Sequence, residues 1–455
     1  MLLDYTNKDA VAWWHSLLDD VLESGVRGFK CDGTDPYILE YIRPQTSSGE
    51  DIDYREYADL YYSDFKDYTA QVNGDSLIWS RPVDCLDSVD VGCLTYSPHE
   101  LMFSGWVGDD DSTWQGMRSC MRKSIFSAWA GYTGYGCDIG GYRSNQDEEL
   151  GRSPEVFLRW AQMATFLPLM ENGGAGDHRP WAFDDYLSNG TSTFYTDTYR
   201  SFVNTHYSLA SYLQSMGTEA HLASSSILHP LATNFNPEDL VDDKAMKFPM
   251  PETMDFLLGD SLFVHPILEE ETEGVQRISL PEDEETVWRS FWHPSEIVGV
   301  GGDQLVRKVG LDSYPVFVRG GSIVPLRKYD ENDVLDHTYS LQFTVYGPTL
   351  GEHTFKVHDQ YFGGMTFSYV LEEDGEVSFS LSAFVPPEDG HLAPQFSVVF
   401  KGLEKEPSNI DLLTHDDTSS LPYPRAVSHY NQLTSSLVIY VTSGENGFVG
   451  KMMLA

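Results

Sequence analysis

Basic residues are scarce in this sequence. It carries 29 Lys and Arg against 70 Asp and Glu over 455 residues, a formal net charge of −41. A surface with so few cations repels the phosphate backbone of nucleic acids and the headgroups of anionic membranes. The composition therefore argues against nucleic-acid binding and favours a neutral or cationic ligand.

Cysteine and long apolar runs are also scarce. The five cysteines are odd in number and include no CxxC pair, so the sequence predicts neither a disulfide framework nor a zinc site. No apolar run reaches the roughly 20 residues of a membrane-spanning helix, and we expect no membrane insertion. The opening MLLD lacks the basic and apolar regions of a signal peptide. Compartment and oligomeric state are left open.

Helical and strand patterns alternate along the first half of the chain. Apolar residues at helical spacing predict helices over 10–23, 54–72, 114–129, 153–166 and 195–216, with Asn7 or Asp9 as the cap of the first. Short apolar stretches between the helices predict strands over 25–32, 77–81, 101–106 and 132–138. The alternation repeats about every 30 to 45 residues, which is typical of parallel βα units.

The second half of the chain loses the helical period. Beyond about residue 256, short strands alternate with Gly, Pro and acidic loops, which indicates antiparallel sandwiches. We therefore predict an α/β fold followed by an all-β part. A partial (β/α)8 TIM barrel, its C-terminal half, would occupy 1–235, and one or two antiparallel β-sandwich domains 236–330 and 331–455. The acidic run 282–285 is predicted to be a solvated loop.

A polar residue lies at or just after the end of each predicted strand of the first half. These residues are Asp32, Arg81, Asp109 and Asp138. In a barrel the carboxyl ends of the parallel strands form one mouth, where enzymes of this architecture hold their reactive groups, whereas a doubly wound sheet would use a single crevice. For Asp32 alone, a helix cap or a turn is an equally good interpretation.

Three aspartates are adjacent in the chain, Asp109, Asp110 and Asp111. Their repulsion should raise the pKa of at least one carboxyl group unless cations or hydrogen-bond donors intervene, and a raised pKa suits a general acid. The alternatives are a calcium loop, which the lack of EF-hand spacing disfavours, and a helix cap at Asp111 or Ser112. Asp32 and Asp109 together would supply the carboxyl pair that glycoside cleavage requires.

Five ordered stretches resemble the signatures of glycoside hydrolase family 31. They are FKCDG at 29–33, WVGD at 106–109, GCDIGGY at 136–142, LLGDSLFVHPI at 257–267 and PVFVRGGSIVPL at 315–326. The resemblance implies a retaining α-glycosidase that acts on α-glucosides or α-xylosides. Asp32 would be the nucleophile that forms a covalent glycosyl-enzyme, and Asp109 the acid that later serves as base.

The resemblance also implies a set of substrate-binding residues. Lys30 and Arg81 would donate hydrogen bonds to sugar hydroxyls and orient the two carboxylates. Asp138 would accept hydrogen bonds from sugar hydroxyls, and Trp106 would form an apolar wall. No metal or organic cofactor is implied, and the expected partner is a carbohydrate substrate.

Two departures from the family pattern concern the last barrel strand and the start of the chain. The family usually carries a short Arg-x-His segment after that strand, whereas the corresponding run here is LMENGG at 169–174. His178 either takes the role of that histidine from a longer loop or is a structural residue. The N-terminal sandwich and first barrel strands of the family would precede Met1. We therefore expect the C-terminal portion of a larger enzyme, unstable or inactive alone because an open half-barrel exposes strand edges.

Other functions could be built on the same scaffold. An α-xylosidase, a transglycosylase or an α-glucan lyase would share the two aspartates. A non-catalytic carbohydrate-binding protein would have no need of the acid. The presence of Asp32, Asp109 and Arg81 together favours an enzyme, with hydrolysis of terminal α-glucosyl residues as the leading prediction.

Overall fold

Two compact units make up the chain. Met1–Asp197 with Ala220–Met254 form the first unit, and Thr198–Glu219 with Asp255–Ala455 form the second. The predicted domain boundaries at 235 and 330 lie outside the described residues, so the three-domain division stays a prediction. The computed structural model describes residues 2–32, 43–74, 76–81, 83–85, 93–95, 99, 101–102, 104–232, 253–270, 274–328, 340–360, 362–382, 395–414, 427–442 and 448–454.

Up to residue 171 helices alternate with strands, except that four described strands follow one another over 77–106, and further helices come after residue 171. In chain order the elements are α1 Lys8–Glu23, β1 Gly28–Cys31, α2 Tyr54–Asn73, β2 Leu77–Ser80, β3 Val83–Cys85, β4 Cys93–Thr95, β5 Ser104–Trp106, α3 Trp114–Trp129, β6 Gly134–Asp138, α4 Pro154–Thr165 and β7 Leu169–Glu171. The next elements are α5 Pro180–Ser188, α6 Phe194–Ser208, α7 Ala210–Leu222 and β8 Leu228–Pro230.

Five of these strands form one parallel sheet. Their order is β1-β2-β5-β6-β7, while β3 and β4 pair separately as an antiparallel hairpin. The register sets Cys31 beside Ser80 and Asp138 beside Glu171, so the carboxyl ends of neighbouring strands lie together. The predicted partial barrel of parallel strands is confirmed. We call Asp32, Arg81, Asp109, Asp138 and Glu171, which end or follow the five strands, the C-terminal rim.

Side-chain oxygens fix where the helices between the strands begin. Asn7, one of the two predicted caps of α1, accepts hydrogen bonds from two backbone N–H groups of the first turn. Asp53, Thr113 and Ser153 cap α2, α3 and α4 in the same way. Each cap satisfies donors that a helix start leaves without an intrahelical partner.

The prediction of one helix over 195–216 is wrong. Two helices, α6 and α7, occupy this stretch, and Leu209 lies between them. The Leu209 N–H is shared between the carbonyl groups of Thr205 and His206, which tightens the turn at that point. Leu209 is fully buried, so the apolar pattern continues across the break and gives no sign of it.

Strands fill the second unit after residue 255. They are β9 Phe256–Leu258, β10 Leu262–Val264, β11 Val275–Ser279, β12 Val287–Ser290, β13 Ile297–Val300, β14 Gln304–Lys308, β15 Val316–Arg319, β16 Ile323–Lys328, β17 Ser340–Tyr346, β18 Gly351–Asp359, β19 Gly363–Leu371, β20 Glu376–Leu381, β21 Gln395–Lys401, β22 Ser408–Thr414, β23 Val427–Asn431, β24 Ser436–Thr442 and β25 Phe448–Met453.

These strands form sheets that are mainly antiparallel. One sheet contains β13-β12-β15-β10-β9, a second is β16-β17-β21-β24-β23 and a third is β18-β19-β20-β25-β22. Phe343 on β17 stacks on Phe367 of β19 with ring centroids 4.6 Å apart, so the last two sheets face each other. The predicted β-sandwich is confirmed. The acidic run 282–285 is exposed, as predicted.

Candidate active site

One guanidinium group joins the two candidate catalytic aspartates. Arg81 follows β2, which lies between β1 and β5 in the sheet. Its Nη2 donates to Asp32 Oδ1 at 2.6 Å, and its Nη1 donates to Asp109 Oδ1 at 3.1 Å. Because both nitrogens belong to one rigid fork, the two bound oxygens lie within roughly 8 Å of each other. The strand order thus brings together three residues that the sequence separates.

The three residues differ in their exposure to solvent. The Arg81 side chain is 9% exposed, whereas that of Asp32 is 57% exposed and that of Asp109 is 26% exposed. Tyr61 on α2 donates through its Oη to the main-chain carbonyl of Asp32 at 2.7 Å. The site therefore has a buried cation beneath two accessible carboxylates, one of which is held through its backbone.

Lys30 on β1 supplies a second cation next to the C-terminal rim. Its Nζ forms an ion pair with Glu171 and lies 3.6 Å from Asp138 Oδ1. The same Nζ lies 4.2 Å from the ring centroid of Trp106, and the Arg81 guanidinium carbon lies 5.5 Å from that ring. Trp106 is almost fully buried, so its indole face packs against both cations of the site.

Asp138 is the most deeply buried carboxylate of the rim. Its side chain is 2% exposed, and neither carboxyl oxygen has a hydrogen-bond partner. Burial raises the pKa of Asp138 to about 7, and the nearby Glu171 adds to the rise while Lys30 opposes it. Asp138 is therefore a hydrogen-bond acceptor, or near neutral pH a proton carrier, whose only nearby cation among the described ion pairs is Lys30.

The three adjacent aspartates each meet a different cation. Asp110 is buried and accepts from Lys123 Nζ at 2.9 Å, and Asp111 lies 3.6 Å from Arg143. Burial raises the pKa of Asp110, so the expected rise occurs, but through desolvation rather than mutual repulsion.

The alternative interpretation of Asp111 or Ser112 as the cap of α3 is wrong. Thr113, not Asp111 or Ser112, accepts from the backbone N–H of Gly116. The Ser112 hydroxyl instead donates to the carbonyl of Gly141, at 3.3 Å. The local sequence offers three suitable oxygens in a row, and the contact between this loop and the loop after β6 decides which of them caps the helix.

His178 lies in the loop that follows β7. Its Nδ1 is 3.0 Å from Asn172 Oδ1, and the Asn172 amide nitrogen donates to the His178 carbonyl. Burial, with the positive charge of Arg152, lowers the pKa of His178 to about 4, so its ring is neutral. No hydrogen bond or ion pair among the described residues joins His178 to the carboxylates of the rim, and its role stays a prediction.

Arg152 holds this loop against its neighbours. The buried guanidinium donates to the carbonyls of Gly140, at 2.9 Å, and of Gly141 after β6. It also donates to the carbonyls of Ala175 and Asp177 after β7. Desolvation lowers its pKa to about 10, so the residue stays charged near neutral pH. One cation therefore ties two rim loops together through their backbones.

Glu171 is the rim residue that the sequence interpretation missed. It ends β7, a strand of only three residues, too short to produce a recognisable pattern. Had the rule that strands end in a polar residue been applied to 169–171, it would have identified Glu171. Tyr61 gave no signal, because a tyrosine within a helical pattern is usually a core residue.

Other kinds of site find no support in the described part of the chain. No helix there is both long and apolar enough to cross a membrane. No group of three or more His, Cys, Asp or Glu side chains in that part could hold a metal ion. Cys31, Cys120 and Cys137 are buried free thiols.

Two family models match the chain in succession. The glycosyl hydrolases family 31 TIM-barrel domain matches residues 1–216, and the glycosyl hydrolase family 31 C-terminal domain matches residues 224–324. The chain belongs to glycoside hydrolase family 31. The first matched region contains the first three of the five resembling stretches, and the second contains the fourth and most of the fifth.

Curated members of the family are about a quarter identical to this chain over the aligned residues. An alpha-xylosidase of Emericella nidulans is 25% identical over 333 residues, which is 71% of this chain and 38% of that protein. Neutral alpha-glucosidase C of Homo sapiens is 27% identical over 333 residues, 68% of this chain and 32% of that protein. The chain thus matches a third or a little more of the length of these two relatives.

Solved structures of the family show the same fold. A dextranase from Flavobacterium johnsoniae complexed with glucose aligns at a TM-score of 0.75 with 18% identity, over 99% of this chain and 56% of that chain. The cycloalternan-forming enzyme from Listeria monocytogenes aligns at 0.73 with 20% identity, over 99% of this chain and 40% of that chain. At this identity the likeness supports the fold alone.

Proposed function

We propose that this chain carries the catalytic centre of a retaining α-glycosidase that hydrolyses terminal α-glucosyl residues. The observation that carries the proposal is the pair of hydrogen bonds from Arg81 to Asp32 and Asp109. Two carboxyl groups close together at the carboxyl ends of parallel strands are the arrangement that glycoside cleavage requires. Membership of family 31, whose relatives include an alpha-glucosidase, supports the same assignment.

The reaction would proceed in two steps. Asp32 attacks the anomeric carbon while Asp109 gives its proton to the glycosidic oxygen, so the bond to the leaving sugar breaks and a glycosyl-aspartate ester forms. Asp109, now a carboxylate, takes a proton from a water molecule that attacks the same carbon and releases Asp32. Two displacements at one carbon retain its configuration.

Other residues at and next to the C-terminal rim would bind the sugar. The buried face of Trp106 supplies an apolar wall, and Lys30 above it supplies a donor for hydroxyl groups. Asp138, with two oxygens that lack partners, supplies acceptors. Arg81 keeps both reactive carboxyl groups oriented through its two hydrogen bonds.

Hydrolysis of aryl α-glucosides tests the proposal and separates the two roles. Asp32→Ala should abolish turnover. Asp109→Ala should lower kcat/KM, which reports the first step, by about 10²–10⁴-fold for a poor leaving group, and far less for p-nitrophenolate, which departs without a proton. With added azide, Asp32→Ala should give the inverted glycosyl azide and Asp109→Ala the retained one, distinguishable by NMR of the anomeric proton.

Asp111→Ala is the matched control, since Asp111 is an exposed neighbour of Asp109 that forms its ion pair with Arg143. Full activity in both Asp32→Ala and Asp109→Ala would overturn the proposal. Faster hydrolysis of the aryl α-xyloside than of the aryl α-glucoside would replace the glucosyl substrate by a xylosyl one and leave the two roles unchanged.

A further inference from the structure

Only one of the two carboxylate oxygens of Glu171 has a hydrogen-bond partner among the described residues. Its Oε1 accepts from Lys30, while its Oε2 is buried and has no hydrogen-bond partner. The strand register sets Glu171 directly beside Asp138, whose two carboxyl oxygens are also buried and unpartnered. Three acceptor oxygens thus lie together at the rim without a donor.

Lys30 cannot satisfy all of these oxygens. It already pairs with Glu171, stands 3.6 Å from Asp138 and lies over the ring of Trp106. One ammonium group between two carboxylates leaves a surplus negative charge. Buried acceptors without partners are unfavourable, so the missing donors are expected to come from a ligand.

We infer that Glu171 binds the substrate directly, accepting a hydrogen bond from a sugar hydroxyl next to the one that Asp138 binds. The inference rests on the proposed function and adds a specificity-determining residue to it. A run of LMENGG stands where the family pattern implies Arg-x-His, so this chain offers an acceptor where a donor was expected. The surplus negative charge also favours sugar-like ligands that carry a protonated nitrogen.

A purely structural role for Glu171 would explain less. Anchoring Lys30 needs only one acceptor oxygen, which a glutamine in the same place also supplies. Such a role leaves Oε2 unexplained, and it predicts that Glu171→Gln behaves like the wild type. Substrate binding through the carboxylate predicts that Glu171→Gln weakens binding, because a hydrogen bond to a charged acceptor is stronger than one to a neutral amide.

Binding of 1-deoxynojirimycin, a glucose-shaped amine, tests the inference by calorimetry without any need for turnover. Glu171→Gln should weaken binding about 10-fold or more. Glu376→Gln should bind like the wild type, since it neutralises a glutamate that likewise accepts from a lysine, Lys451, but on β20 of the second unit. Glu171→Asp, which keeps the charge but withdraws it by one methylene, should bind with intermediate affinity.

The pH profile of kcat/KM supplies a second readout, which reports the charge of Glu171 next to Asp138. Four charged groups act on Asp138, namely Lys30, Glu171, Asp109 and Asp110. Removing the charge of Glu171 removes one cause of the raised pKa of Asp138, so the acid limb of kcat/KM should move to lower pH in Glu171→Gln. In Glu171→Asp and Glu376→Gln the limb should stay in place.

The outcomes separate this inference from the proposed function. Unchanged affinity in Glu171→Gln, with active wild type, would overturn the inference alone, whatever the pH profile shows. Wild-type binding that Glu171→Gln weakens, without hydrolysis of any aryl α-glycoside, would uphold the inference and overturn the proposed reaction. A wild type that neither binds the amine nor hydrolyses glycosides would overturn both.

Discussion

At the scale of single residues, Asp138 combines two properties that rarely occur together. It is almost fully buried, and no donor compensates for the loss of water around its carboxylate. Folding therefore raises its pKa from 3.8 to about 7. A group that holds its proton more tightly when folded stabilises the protein at low pH, and that stabilisation is lost as the pH rises through 7.

Asp138→Asn should remove this pH dependence of stability, because the amide cannot ionise. Between pH 5 and pH 8 the wild type should lose about 2–3 kcal/mol of unfolding free energy relative to the variant. Urea unfolding of both proteins at the two pH values measures the difference. Asp147→Asn, at an exposed loop position, is the control and should show no such gap. A gap for Asp138→Asn that does not change with pH would contradict the burial argument.

Single residues also mark the limit of prediction from sequence. Asp32, Asp109 and Arg81 were found because each follows a strand, and the family motif contains both aspartates. Their joint hydrogen bonding could not be predicted, since it depends on β2 lying between β1 and β5. Glu171 was missed because β7 is short. Whether its second carboxylate oxygen finds a hydrogen-bond partner depends on packing rather than on local sequence.

At the scale of elements, the start of α3 packs tightly against the loop that carries Asp109. A Cβ atom added at Gly116 would lie 1.9 Å from the main-chain oxygen of Asp111. Such closeness leaves no room for a methyl group unless the helix or the loop moves. The helix start therefore sets the position of the loop between β5 and α3.

Gly116→Ala should destabilise the protein by about 1–3 kcal/mol and lower the activity that depends on Asp109. Gly364→Ala is the control, since a Cβ there meets its nearest neighbour only at 4.0 Å. Equilibrium unfolding in urea compares the two variants. Equal stability of Gly116→Ala and wild type would show that the loop can move away from the helix at no cost in free energy, and would contradict this prediction.

The elements themselves were largely predictable from spacing. Periodicity located α1 to α4, and Asn7 was a correct cap because the chemistry of a helix start is local. The break at Leu209 was not predictable, since an apolar residue there fits an unbroken helix equally well. Equally, the choice of Thr113 over its two neighbours depends on a loop nearly thirty residues away.

At the scale of the whole molecule, acidic side chains outnumber basic ones and give a formal net charge of −41. Like charges on a folded surface repel one another, and the repulsion destabilises the compact state. Exposed ion pairs among the described residues, such as Lys451 with Glu376, each contribute little to stability. Repulsion should therefore outweigh attraction among the surface charges.

Added salt should consequently stabilise this protein. Raising NaCl from 0.01 M to 0.1 M shortens the screening length from about 30 Å to about 10 Å, which weakens repulsion between distant carboxylates. We expect the thermal unfolding midpoint to rise over this range. Glycerol at matched osmolality controls for effects other than screening, and a midpoint that falls with salt would mean that ion pairs dominate.

The rim described above has a consequence for how this protein could diverge. Five separate strands each contribute one charged side chain, so the site is inherited as five short pieces of sequence that a common sheet aligns. Under the proposed function, a substitution at one strand end, such as Glu171, would alter the contacts of the sugar and leave the proposed nucleophile and acid on their own strands. Preference for a new sugar could then arise by single substitutions on an unchanged scaffold.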